Sequence, residues 1–130
     1  MNINSINLVN LVKTYFPSVK LLYLFGSYAC DQAHAASDID LAILPANKLS
    51  SVTRWEIQQL MAEQLGQDVD LVDLLSASTV MQKEIISKGV CLYDINNELE
   101  SFEVKVMSMY QRLNEERADL LAEFMDKNNG

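Results

Sequence analysis

Apolar residues fall along this chain in two rhythms that alternate. From about Ile3 to Tyr15, residues Ile3, Ile6, Leu8, Val9, Leu11 and Val12 recur at helical spacing, and Pro17 closes the segment. Val19 to Phe25 is instead a dense apolar run ending at Gly26 and Ser27, and its length and glycine stop predict a buried strand. Residues 28–37 are small and polar. A second strand is predicted from Asp38 to Leu44, stopped by Pro45. Ser51 to Leu65 reads as a helix with Val52, Trp55, Ile57, Leu60, Met61 and Leu65 on its inner face, and Gly66 ends it.

Asp68 to Leu74 is a third strand, able to lie beside Asp38–Leu44. Thr79 to Lys88 is a helix with Val80, Ile85 and Ile86 inside, stopped by Gly89, and Val90 to Tyr93 is a short strand at a sheet edge. From about Asn96 to Met125 a single helix runs without Pro or Gly. Leu99, Phe102, Val106, Met109, Leu113, Leu120 and Phe124 recur along it at steps near three and four, with a weaker turn at Glu116–Arg117. Thirty helical residues span about 45 Å. A domain this small is roughly 30 Å wide, so part of the helix is expected to project or to lie along a partner. Helix and strand in alternation predict an α/β (α+β) domain with a small sheet and a long C-terminal helix.

Composition narrows the class. At 130 residues, 49% hydrophobic and 22% charged, the chain has the values of one globular domain and can bury a core without staples. Its formal charge of −8 argues against a broad nucleic-acid-binding face. Cys30 and Cys91 stand far apart and there is one histidine, so a Cys/His zinc site is not expected and the thiols read as reduced. No apolar run reaches the length of a membrane span and the N-terminus lacks a basic leader, so a soluble, cytoplasmic protein is expected.

The chemistry concentrates in three places. Side chains alternate along a strand, so Asp38 and Asp40 point the same way. Two carboxylates there repel each other unless a cation lies between them, and hard oxygen donors on a rigid strand suit Mg²⁺. Gly26–Ser27 ends the preceding strand. Glycine lets a phosphate approach the backbone, serine offers a hydroxyl, and a helix beginning at Ser27 would add its dipole. Asp70, on the third strand, can supply a third carboxylate to a metal or take a proton from an attacking hydroxyl. Each feature alone has an ordinary structural explanation: a strand end, a turn with a serine cap, a solvated charge. His34 reads as a solvent-facing loop residue, Trp55 as core, and Asp73, Cys30 and Arg54 as structural or solvated.

Taken together, Gly-Ser, ten residues, Asp-x-Asp and a later strand Asp resemble the signature of the DNA polymerase β-like nucleotidyltransferase superfamily. The stretches GSYACDQAHAASDIDLAIL and GQDVDLVDL resemble the minimal nucleotidyltransferases, and more narrowly the antitoxins of MNT–HEPN toxin–antitoxin pairs. The resemblance covers roughly residues 20–93. It implies a nucleotidyltransferase domain over 1–95, with a small mixed β-sheet flanked by helices, and a C-terminal helix over 96–130 packing on the domain, a partner or both.

It further implies that Gly26 and Ser27 bind the triphosphate of ATP. Asp38, Asp40 and Asp70 would coordinate Mg²⁺, two ions in all, and Asp70 would activate the acceptor hydroxyl. The implied reaction transfers AMP to a tyrosine of a HEPN ribonuclease toxin, releases pyrophosphate and so neutralises the toxin. No membrane and no direct nucleic-acid contact are expected.

One departure stands out: relatives often carry an Arg in the loop after Gly-Ser, where this chain has Cys30 and Asp31 and only His34 as a loop cation. Two alternatives stay open. One is an antitoxin that blocks its toxin sterically through the long helix; the other is a nucleotidyltransferase for a small hydroxylated molecule.

Overall fold

The computed structural model describes residues 4–30, 32–33 and 37–129, with the main chain only at 128–129. The strands are β1 (Leu21–Phe25), β2 (Ile39–Leu44), β3 (Val69–Asp73) and β4 (Val90–Asp94). The helices are α1 (Ser5–Tyr15), α2 (Ser51–Leu65), α3 (Thr79–Lys88) and α4 (Glu98–Asn129). The strands form one mixed sheet in the order β3-β2-β1-β4. β1 is antiparallel to β2 and β4, and β2 is parallel to β3. The parallel pair is the one joined by a helix, α2, as a crossover connection requires. β4 lies at an edge, as its sequence predicts. Ile3, Asp31 and His34 lie outside the described residues.

Strand alternation divides the core into two layers. Leu22, Leu24, Ile39, Leu41, Ile43, Val69 and Leu71 pack with Leu8 and Val12 of α1 and Met61 of α2. Leu21, Tyr23, Ala42 and Leu44 pack on the other face with Leu74 and with Ile85 of α3, joined by Leu99 and Phe102 of α4. On this second face the apolar positions stop at Ala42 of β2 and Val72 of β3. The next positions towards the strand starts, Asp40 and Asp70, are half-buried and exposed. The polar end of an otherwise apolar face is where the candidate chemistry stands.

Three helices turn differently from the simple apolar reading. In α1, Leu8 and Val12 are buried, but Ile6 is exposed. In α3, Ile85 is buried and Val80 is exposed. In α2, Met61 is buried, with Ile57, Ala62 and Leu65 against the same cluster, whereas Val52, Trp55 and Leu60 face solvent. Trp55 is therefore not a core residue.

The reason lies at the sheet edge. β3 is an edge strand, so the outward N–H and C=O of Leu71 lack strand partners. The inner side of α2 carries Gln58, whose side-chain oxygen accepts the Leu71 N–H at 2.8 Å, and Arg54, which donates to the Leu71 carbonyl at 3.1 Å. Satisfying and covering this edge removes a site of intermolecular strand pairing, and it rotates Trp55 outward. Gly66, in the left-handed conformation (φ 67°), ends α2 as expected.

Asp73 is 2% exposed and accepts hydrogen bonds from the Leu49 and Leu75 amides and the Ser76 hydroxyl, so it organises the loops flanking β3. Asp94 accepts the Glu98 and Leu99 amides at the start of α4. Tyr23 donates to Glu103 at 3.1 Å, tying α4 to the central strand β1, and Val106 is buried. Beyond that the helix leaves the body: every described side chain from Asn114 to Lys127 is exposed.

Candidate active site

β1 ends at Phe25, and the chain turns at once through a 3₁₀ turn, Gly26–Tyr28. Gly26 adopts φ 71°, a conformation that disfavours any side chain. Its position is also closed sterically: a Cβ there would lie 2.0 Å from Oδ2 of Asp40. The glycine is thus required twice, for the turn and for the carboxylate seated against it. Cys30 donates to the Gly26 carbonyl at 3.4 Å, and the Gln32 amide donates to the Ser27 carbonyl at 3.0 Å; both contacts shape the loop. The expected helix at Ser27 is only this short turn, too short to carry a helix dipole of any weight. What it offers a ligand is backbone without a Cβ, and Ser27, half-buried beside it.

Asp40 is the residue on which the strands converge. It pairs in register with Phe25 of β1 on one side and with Asp70 of β3 on the other. Asp38 lies two residues earlier, just before β2 begins, near enough for its charge to act on Asp40. Burial, then the charge of Asp70, then that of Asp38, push the Asp40 carboxyl up to about 6. The order of causes is informative. A half-buried carboxylate loses water, and two like charges face it, so its ionised form lacks a counter-charge.

The sequence-predicted residues therefore sit at one corner of the sheet. Gly26 is against Asp40, Asp70 is Asp40's register partner, Asp38 immediately precedes β2, and Ser27 is beside the glycine. Among the described residues no three acidic, thiol or imidazole groups stand close enough to hold a metal ion by themselves. The expected metal set of three carboxylates, Asp38, Asp40 and Asp70, is thus not gathered into one three-ligand group here; a Mg²⁺ at this corner would use one or two of them and complete its shell with substrate phosphates and water. The donor set is hard oxygen throughout.

Two hollows flank the corner. A cleft of about 590 Å³ reaches Asp38 and is lined by Gln59, Glu63, Gly66, Gln67 and Asp68. A smaller hollow of about 210 Å³ borders Asp70, with Arg54 and Ser76 in its wall. Sequence reasoning did not single out Gln59, Glu63 or Gln67. The spacing of Gln59 and Glu63 places them on one face of α2, but nothing in the pattern says that this face overlooks Asp38. Arg54 is in place as a structural group, bonded to the β3 backbone.

Comparison with known proteins bears on the same features. A family model described as Polymerase beta, Nucleotidyltransferase matches residues 7–98. The protein adenylyltransferase MntA of Shewanella oneidensis is 42% identical over 123 residues, covering 95% of this chain and 88% of that protein. A crystal structure of a toxin–antitoxin with AMP-PNP contains a chain 41% identical to this one, with a TM-score of 0.86, covering 95% of this chain and 99% of that one. A structure of a tri-AMPylated Shewanella oneidensis HEPN toxin in complex with MNT antitoxin matches at 40% identity and a TM-score of 0.77, over 93% of this chain and 95% of that one.

Proposed function

This chain belongs to the polymerase beta nucleotidyltransferase family, and from that premise we propose that it is an antitoxin with protein adenylyltransferase activity. It takes ATP as donor, transfers AMP to a tyrosine hydroxyl of a cognate HEPN ribonuclease toxin, releases pyrophosphate, and works in the cytoplasm with Mg²⁺. The observation that carries the reading is the Asp40–Asp70 register pair, with Asp40 seated under the Gly26 turn and Asp38 just before its strand. The relatives support the substrate and the partner: one is named a protein adenylyltransferase, and similar structures hold AMP-PNP or an AMPylated HEPN toxin.

Each residue has a role. Gly26 lets the triphosphate lie against the backbone, and Ser27 offers it a hydroxyl donor. Asp38 and Asp40 would hold Mg²⁺, whose charge would offset that of the triphosphate and of the transition state. Asp70 accepts the proton of the acceptor hydroxyl as its oxygen attacks the α-phosphorus. The bond between α- and β-phosphates breaks in line, and pyrophosphate leaves. Positioning and charge dominate such a transfer, which suits a site built on two rigid strands. With Cys30 and Asp31 in the loop after Gly-Ser, the donor's charge would rest on Mg²⁺, backbone amides or a basic residue from elsewhere.

The test is direct. Purified chain, ATP labelled in its α-phosphate, Mg²⁺ and the cognate HEPN protein are mixed, and label on the toxin is measured. Label is expected with the native chain and is lost with Asp38→Asn or Asp40→Asn. Unlabelled toxin, or label undiminished by both substitutions, overturns the reading.

A further inference from the structure

The first half of α4 packs against the domain through Leu99, Phe102 and Val106. The apolar stripe continues outward from Val106 through Met109 to Leu113, breaks at the charged turn Glu116–Arg117, and resumes at Leu120 and Leu121. Met109 and Leu120 are 44% and 65% exposed, and Leu121 beside them is 60% exposed. The overhang from Asn114 to Asn129 is about 24 Å long. A helix of this length is marginal in water on its own and is held in proteins by packing of its apolar face. The overhang has both the need for a cover and the surface for one.

Position and charge choose the cover. Met109 lies in a hollow with Leu44 and Pro45, at the end of β2 remote from Asp40. The overhang therefore starts from the end of the sheet away from the catalytic corner. A second copy of this chain is a poor cover. The chain carries a net −8, and on the overhang itself the carboxylates from Glu115 to Asp126 outnumber Arg117 and Lys127, so two such helices would set acid against acid. The complementary occupant is a surface with an apolar strip flanked by basic side chains.

We propose that the overhang of α4 is the toxin-gripping element: its exposed Leu120–Leu121 patch docks on an apolar, basic-flanked helical face of the HEPN toxin. This rests on the proposed function for the identity of the partner. It adds that the grip is separate from the chemistry, so the acceptor is presented to the Asp38–Asp40–Asp70 corner by a partner held at the far end of the sheet.

The test uses the full chain and its cognate toxin. Leu120→Glu and Leu121→Glu are placed on side chains that do not pack on the domain, so the thermal midpoint and ATP affinity should stay unchanged. Toxin affinity by calorimetry should fall by about tenfold or more for each, and high salt should weaken the native complex. Toxin affinity unchanged in both variants overturns the proposal. So does an isolated protein that is dimeric by light scattering and becomes monomeric in the variants, which would make a second copy the occupant. Asp38→Asn separates the two readings. It should bind toxin as the native chain does while losing transfer; native transfer in Asp38→Asn and Asp40→Asn counts against the enzymatic reading alone.

Discussion

Asp40 of β2 stands in register with Asp70 of β3, carboxylate beside carboxylate on adjacent parallel strands, with the Gly26 turn closed over Asp40. A fold selected only for stability would not place two acids there. The pairing concentrates negative charge at a rigid point, and its consequences are measurable.

The first concerns pH. The Asp40 carboxyl has an ordinary value of 3.8 and is raised to about 6 in the folded chain. Between those values the folded state holds more protons than the unfolded one, so this group makes stability fall as pH rises from about 4 to 6, and the penalty is complete above that. Asp40→Asn should remove this slope and raise the thermal midpoint at pH 7 while abolishing transfer. Since Mg²⁺ competes with the proton, the midpoint gain on adding Mg²⁺ should be small at pH 5 and larger at pH 7. A Mg²⁺ effect independent of pH would contradict this account.

The second concerns the turn. Gly26→Ala forces a Cβ towards Oδ2 of Asp40 in a left-handed backbone. The conformation alone costs about 1–2 kcal/mol. The displaced carboxylate should lower the transfer rate by about a hundredfold or more, as misplacement by an ångström does. Single-turnover rates and a denaturation curve check both.

A third contrasts two acids on one strand. Asp70 is exposed, whereas Asp73, three residues on, is buried and accepts three hydrogen bonds. Asp70→Asn removes a charge facing Asp40, so it should not lower the thermal midpoint at pH 7 and should raise it slightly, while cutting transfer by roughly 10²–10⁴, the range of a lost general base. Asp73→Ala should cost about 1–3 kcal/mol for each donor left buried without a partner, yet keep its transfer rate at temperatures where it remains folded.

A fourth concerns the sheet edge. Gln58→Ala leaves the buried Leu71 amide without its acceptor, a loss of about 1–3 kcal/mol. It also uncovers the β3 edge, so aggregation on heating should begin earlier than in the native chain, read by light scattering. Trp55→Ala, on the exposed side of the same helix, should change the midpoint by less than about 0.5 kcal/mol.

The pattern of apolar residues alone determined the elements of this protein, because alternation and helical spacing are local properties. α2 and α3 have the bounds their periodicity and flanking glycines predict, and the strands differ from expectation by one or two residues at their ends. Alternation likewise settled that Asp70 and Asp73 part company, one exposed and one buried. Only the tertiary structure decided which side of each helix faces inward. Trp55 is outside because the β3 edge needed the polar arms of Arg54 and Gln58, a demand that arises between strands and leaves no trace in the spacing of α2. The overhang of α4 shows the same limit from the other side. Apolar residues recur on both sides of the Glu116–Arg117 turn, but the sheet beneath the helix ends, so such positions are core at Val106 and surface at Leu120.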